Sequence, residues 1–246
     1  MINTEKSENR ELPPEILKRN QTRENLDRDN TRTIPKPDTV SKKDGKWLND
    51  IENSPMDSHE ELGRITMKKE DASEAVKLLM DEHKAVLKVI GEFEKGIVAY
   101  KMNGYKLTDE INESFSKFFK CLDEDLLPHN RKEEKTLFPI LNKKLILAGE
   151  HSKGKNPLTA IDVMEDDHTK FIQLGALSFN FLGLSTRLVD DRSRFFVLDT
   201  AYDTSRELIE LIKLHIYRED ETLFPLAQKY LSEEELIAIH EEMEKL

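Results

Sequence analysis

The chain has 246 residues, a formal charge of −11, 35% charged residues and only 9 glycines, a helix-favouring composition long enough for one large domain with an appendage. The acidic balance argues against nucleic acid and against a membrane surface as partners, since both need a basic face. The single cysteine, Cys121, excludes an internal disulfide framework and any CxxC zinc or redox motif.

The polar start from Met1 to Arg10 offers no signal-peptide run, and no apolar stretch approaches membrane-span length, so a soluble cytoplasmic protein is expected. Residues 1–68 carry prolines at 13, 14, 35, 37 and 55 and no lasting apolar period. They read as an irregular, partly disordered arm. Trp47, Leu48 and Ile51 are its only docking candidates, and His59 reads as exposed.

Residues 69–246 read as an all-α up-down four-helix bundle with a short C-terminal helix. The first helix is expected from Asp71 and Glu74, which have capping-box spacing. Its seam is Val76, Leu79, His83, Val86, Ile90, Phe93 and Ile97, and it stops at Asn103-Gly104. The second helix starts near Thr108, with a seam of Ile111, Phe115, Phe118, Leu122, Leu126, His129, Glu133, Leu137 and Ile140. Pro128 and Pro139 predict a kink or break near each. Asn156 as N-cap and Pro157 at the first position start the third helix, with Ile161, Met164, His168, Phe171 and Ile172 facing inward to about Gly183. The fourth helix spans about Asp191 to Tyr230, with Leu198, Ala201, Leu208, Leu211, His215, Glu219, Leu223 and Leu226 as its seam and a proline at 225. Ser232 with Glu235 caps the last helix. His151 and His240 read as solvated.

One pattern repeats. His129 is followed four residues later by Glu133 and then by Leu137-Phe138-Pro139; His215 is followed by Glu219 and then by Leu223-Phe224-Pro225. Residues four apart share a helix face, so each copy aims an imidazole and a carboxylate at one point. The preceding helix of each half contributes His83 or His168, at intervals of 46 and 47 residues. The halves are therefore pseudo-symmetric. Buried glutamates without a cation partner are costly, and the seams around Glu133 and Glu219 offer no buried Lys or Arg. Four imidazoles and two carboxylates without thiolate suit iron, manganese, zinc or copper. Six donors are too many for one tetrahedral zinc. Two ions fit better, each taking two imidazoles, with both glutamates and an oxo or hydroxo group bridging. The ferritin-type Glu-x-x-His occurs once, at Glu165 and His168. Among nearby acids, Glu82 and Asp167 read as helix surface, whereas Glu134 and Glu221 are candidates to fix imidazole tautomers. Tyr217 is expected to point away from the seam, and Cys121 to be a small filler.

Over roughly residues 72–230 the chain resembles the hemerythrin-like, or HHE cation-binding, family. The resemblance rests on His83, His129, Glu133, His168, His215 and Glu219 together with the two Leu-Phe-Pro segments. It implies a bundle holding two non-haem iron ions that binds or senses oxygen, nitric oxide or iron. The alternatives it implies are repair of iron–sulfur centres by iron donation, and removal of peroxide or nitric oxide. A small diatomic molecule or peroxide is then the expected partner; no protein partner is indicated. Ile172 stands where oxygen carriers have a fifth histidine, which speaks against carriage. The carriers end in His-x-x-x-x-Asp, so Asp220 competes with Glu219 for the fourth-helix position. Glu219 is favoured because its spacing copies that of Glu133.

Overall fold

The structure is a computed structural model that describes residue 67 and residues 69–246. The arm expected over residues 1–68 lies outside the described residues apart from Met67, which packs against the bundle core. The described chain is an all-α helical bundle. Helix α1 is Glu74–Met102. Helix α2 is a rod over residues 109–148, built from Asp109–Cys121, Leu127–Lys132 and Phe138–Ala148 joined by two π-helical turns. Helix α3 is Ala160–Ser185 and α4 covers residues 191–230 with one π turn. Helix α5 is Glu233–Met243.

Two helix starts differ from expectation, and capping chemistry explains both. Helix α1 is capped by Ser73, whose hydroxyl accepts from the Val76 N–H. Asp71 lies two residues earlier, closing a 3-10 turn at Lys69–Asp71. Helix α3 begins three residues after Pro157, because Thr159 and Asp162 form a reciprocal capping box that Asn156, with a threonine three residues on, has no acid to make. The other starts agree with expectation: Thr108 caps α2, α4 starts at Asp191 behind Asp190 as its cap, and Ser232 with Glu235 boxes α5.

The prolines break nothing. Each follows a five-residue π segment: Leu122–Leu126 before Pro128, Glu133–Leu137 before Pro139, and Glu219–Leu223 before Pro225. In each case the residue before the proline donates its N–H to the carbonyl five residues back. A proline ring collides with the carbonyl four back and offers it no N–H. Widening the turn by one residue relieves both problems while the helix continues. The extra residue shifts the seam, so after Pro139 the buried positions are Leu141 and Leu145, and Ile140 is only half-buried.

Paired side chains fix the packing. His83 meets His129 while Phe93 stacks on Phe118, so α1 and α2 run antiparallel. His83 meets Asp220 while Glu94 binds Arg206 and Lys213, so α1 and α4 do too. Two apolar clusters fill the interior. One gathers Val76, Leu79, Phe138, Met164 and Phe224 with Leu236, Ile239 and Met243 of α5. The other gathers Val86, Ile90, Phe93, Phe118, Phe171 and Ile212. Every seam histidine lies where its helix passes from one cluster to the other, so the polar groups form a layer across the bundle between two oily blocks. No helix among the described residues is long and apolar enough to cross a membrane.

Candidate metal centre

All four seam histidines are buried, and Glu133 and Glu219 have no exposed surface. The Nε2 atoms point inward: His83 and His129 approach to 2.9 Å, His168 and His215 to 3.2 Å. Glu133 lies between His129 and His168, with Oε2 at 3.6 and 3.5 Å from their Nε2 atoms. Glu219 lies between His83 and His215, with Oε2 at 3.1 and 3.2 Å. Each glutamate thus ties one half of the molecule to the other.

The outer nitrogens face carboxylates. The Nδ1 of His83 is 2.9 Å from Asp220, that of His129 is 2.8 Å from Glu82, and that of His168 is 2.8 Å from Glu134. An ionised carboxylate only accepts, so these three rings carry a proton on Nδ1 and turn Nε2 to the interior as the atom free to meet a cation. The Nδ1 of His215 is 3.6 Å from Asp167 and makes no hydrogen bond. The Phe of each Leu-Phe-Pro lies flat against an imidazole of the opposite half: Phe138 on His168 and Phe224 on His83. The π turn that begins at each glutamate makes this possible, since it puts Leu137 and Phe138, or Leu223 and Phe224, inside together.

Charge and hydrogen bonding both bear on what the layer can hold. Six carboxylates surround the four rings, and the side-chain cations paired with them are Lys132 on Glu82 and Arg218 and Lys170 on Asp167. Burial opposes protonation of His83, yet Asp220, Glu219 and Glu133 outweigh it and push its pKa up to about 10. Burial likewise opposes protonation of His215, but Glu219, Asp167 and Glu133 raise it to about 9. For Glu219 burial would raise the pKa, and the His215 and His83 rings hold it well below the ordinary value. The layer is thus built to attract positive charge. Both oxygens of Glu133 and of Glu219 are buried without a hydrogen bond. Nitrogen and oxygen donors with no sulfur, and orphaned carboxylates between them, fit a transition-metal cation. They fall into two sets, His83, His129, Glu133, Glu219 and Glu133, His168, His215, Glu219, with ligand atoms in each set within 4.8 Å of one another. Both glutamates belong to both sets.

A model of the hemerythrin HHE cation binding domain matches residues 74–227. The chain belongs to this family. Among curated proteins and among solved structures no match was found. The matched segment contains every residue of the cluster able to hold a metal. Of the two rivals on α4, Glu219 is the one in the interior; Asp220 is partly exposed and serves His83 from outside. Glu134 lies 2.8 Å from the outer nitrogen of His168, whereas Glu221 is exposed and has no contact with the four rings. Glu165 is exposed as well, which removes the ferritin-type pairing. Ile172 is 55% exposed, so an imidazole there would need to turn inward from the bundle's edge. Tyr217 faces solvent and Cys121 is buried in the apolar core, both as expected. His151 is exposed, but His240 is only half-buried, near Glu244.

Glu82 and Asp167 depart from their reading as helix surface. A signal for them exists in the repeat: an acid immediately precedes the first histidine of each half, Glu82-His83 and Asp167-His168. Likewise a base then an acid flank each buried glutamate, Lys132-Glu133-Glu134 and Arg218-Glu219-Asp220. In the first half the acid before the histidine, Glu82, serves the ring of the next helix, whereas in the second Asp167 only approaches it; in both the base beside the glutamate pairs with that same acid.

Proposed function

We propose that this HHE domain holds two iron ions. His83 and His129 serve one, His168 and His215 the other, and Glu133 and Glu219 are shared. The observation that carries this is the sharing itself: each orphaned carboxylate lies between imidazoles of opposite halves. Iron held there supplies a redox-active centre for a small oxygen- or nitrogen-containing molecule, so the domain binds or senses oxygen, nitric oxide or iron itself. The chain's own residues do the rest. Glu82, Glu134 and Asp220 orient the rings, Phe138 and Phe224 cover them, and the two apolar clusters exclude water. The test is metal content and visible spectrum of protein from iron-replete cells, followed by exposure of the reduced form to oxygen, nitric oxide and peroxide. Two iron per chain and a reversible adduct support this reading. Turnover or loss of iron moves it to the detoxifying or iron-donating alternative. Protein that contains no metal and melts identically in chelator overturns it.

A further inference from the structure

The two halves of the layer share one plan but differ at an outer nitrogen. Three imidazoles are tethered at Nδ1 within 2.9 Å of a carboxylate. The fourth, His215, has a buried Nδ1 with no hydrogen-bond partner. Its nearest acceptor, Asp167 Oδ2, stays 3.6 Å away. That same oxygen is 3.3 Å from Arg218 Nη1, and the other carboxylate oxygen is 3.6 Å from Lys170 Nζ. The corresponding acid in the first half divides its work. Glu82 gives Oε2 to His129 at 2.8 Å and Oε1 to Lys132. A glutamate is one methylene longer than an aspartate and reaches both partners; Asp167 is drawn to the cations and falls short of the ring. The inner nitrogens follow suit, with His168 and His215 further apart, at 3.2 Å, than His83 and His129, at 2.9 Å.

We propose that the two ion positions are unequal, and that the His168–His215 position is the weaker, exchangeable one because Arg218 and Lys170 hold Asp167 off His215. This rests on the two-ion reading above and deepens it. An outer partner fixes the tautomer and direction of a ligating imidazole, and its loss costs about 10–100-fold in metal affinity. His215 alone lacks that support. The His83–His129 position is therefore retained while the other fills and empties with the supply of metal. Asp167 and Arg218 act as positioning residues that set the difference.

The experiment titrates metal-free full-length protein with cobalt(II) against a chromophoric competing chelator. The expected result is two ions per chain in two affinity classes about 10–100-fold apart. His215→Ala removes the weaker class and spares the tighter. Asp167→Glu, which restores the reach of Glu82, and Arg218→Gln, which frees Asp167 to close on Nδ1, each tighten the weaker class and narrow the gap. A gain in affinity is not something a misfolded variant produces. Two ions bound with equal affinity, or a gap that neither variant narrows, overturns the inference and leaves the two-ion centre standing. Absence of any bound ion overturns the centre itself.

Discussion

Replacing Glu133 by glutamine should move stability in opposite directions with and without metal. Neither oxygen of Glu133 has a hydrogen bond, and the nearest imidazole nitrogens are 3.5 and 3.6 Å away. In metal-free protein this is a buried carboxylate with no hydrogen bond, and the charge on the surrounding imidazoles offsets only part of its desolvation, leaving a net cost of about 1–3 kcal/mol. Glutamine has nearly the same shape, carries no charge, and its amide can either donate to or accept from the neighbouring Nε2 atoms. The metal-free variant should therefore be more stable by about that amount. For a domain of this size each kcal/mol moves the melting temperature by about 2–4 °C, so a rise of roughly 2–12 °C is expected. In loaded protein the same change weakens both ions, because the carboxylate is shared. A hundredfold loss per ion is about 2.7 kcal/mol each, and stability follows affinity through mass action. Set against the metal-free gain, the net loss for two ions is about 2.4–4.4 kcal/mol, so the loaded variant should melt roughly 5–18 °C lower than loaded wild type. Far-UV circular dichroism melts of both proteins, with excess metal and after exhaustive chelation, supply the four numbers. Equal destabilisation in the two states would mean that Glu133 is a packing residue, and the charge argument would be wrong.

Glu133→Ala and Glu219→Ala should each abolish tight metal binding, whereas Glu134→Ala, which loses only the partner of His168 Nδ1, should weaken it about 10–100-fold; competitive titration distinguishes the two sizes of effect. Phe93→Ala removes a fully buried ring stacked 3.9 Å from Phe118 and should cost about 3–5 kcal/mol in denaturant unfolding without changing the number of ions bound. Pro139→Ala returns an N–H to the backbone and makes ordinary α spacing available over Glu133–Leu137, which would rotate Phe138 off His168. Unchanged helicity with lowered metal affinity is the expected result, and unchanged affinity would show that the proline does not set the wide turn. Ser232→Ala breaks the capping box of α5 and should cost about 1 kcal/mol, read as a lower melting temperature at constant metal content.

The seam of α1 was legible because nothing interrupts its period. Val76, Leu79, His83, Val86, Ile90, Phe93 and Ile97 are all buried, as steps of three and four require. The start of α3 was not, because Asn156-Pro157 and Thr159 with Asp162 are both respectable start signals only three residues apart. Geometry chose the one that satisfies two backbone groups reciprocally. The register beyond Pro139 was hidden for a different reason. A helix template adds 100° per residue, and a π turn inserts one residue without announcing it, so on the template Ile140 takes the place that belongs to Leu141.

The inner and outer parts of the candidate site differ in legibility for a physical reason. An inner residue must be imidazole or carboxylate at an otherwise apolar position, and that mismatch between side chain and seam is visible from the sequence alone. An outer acid sits at the helix edge, where acids are common and solvated, so Glu82 and Asp167 carry no mismatch of their own. What betrays them is the comparison of halves: an acid before each first histidine, and a base and an acid on either side of each buried glutamate. The same comparison exposes the substitution that matters. Where one half has glutamate before histidine the other has aspartate, and a single methylene decides whether a carboxylate reaches an imidazole and a cation together or must leave one of them unserved.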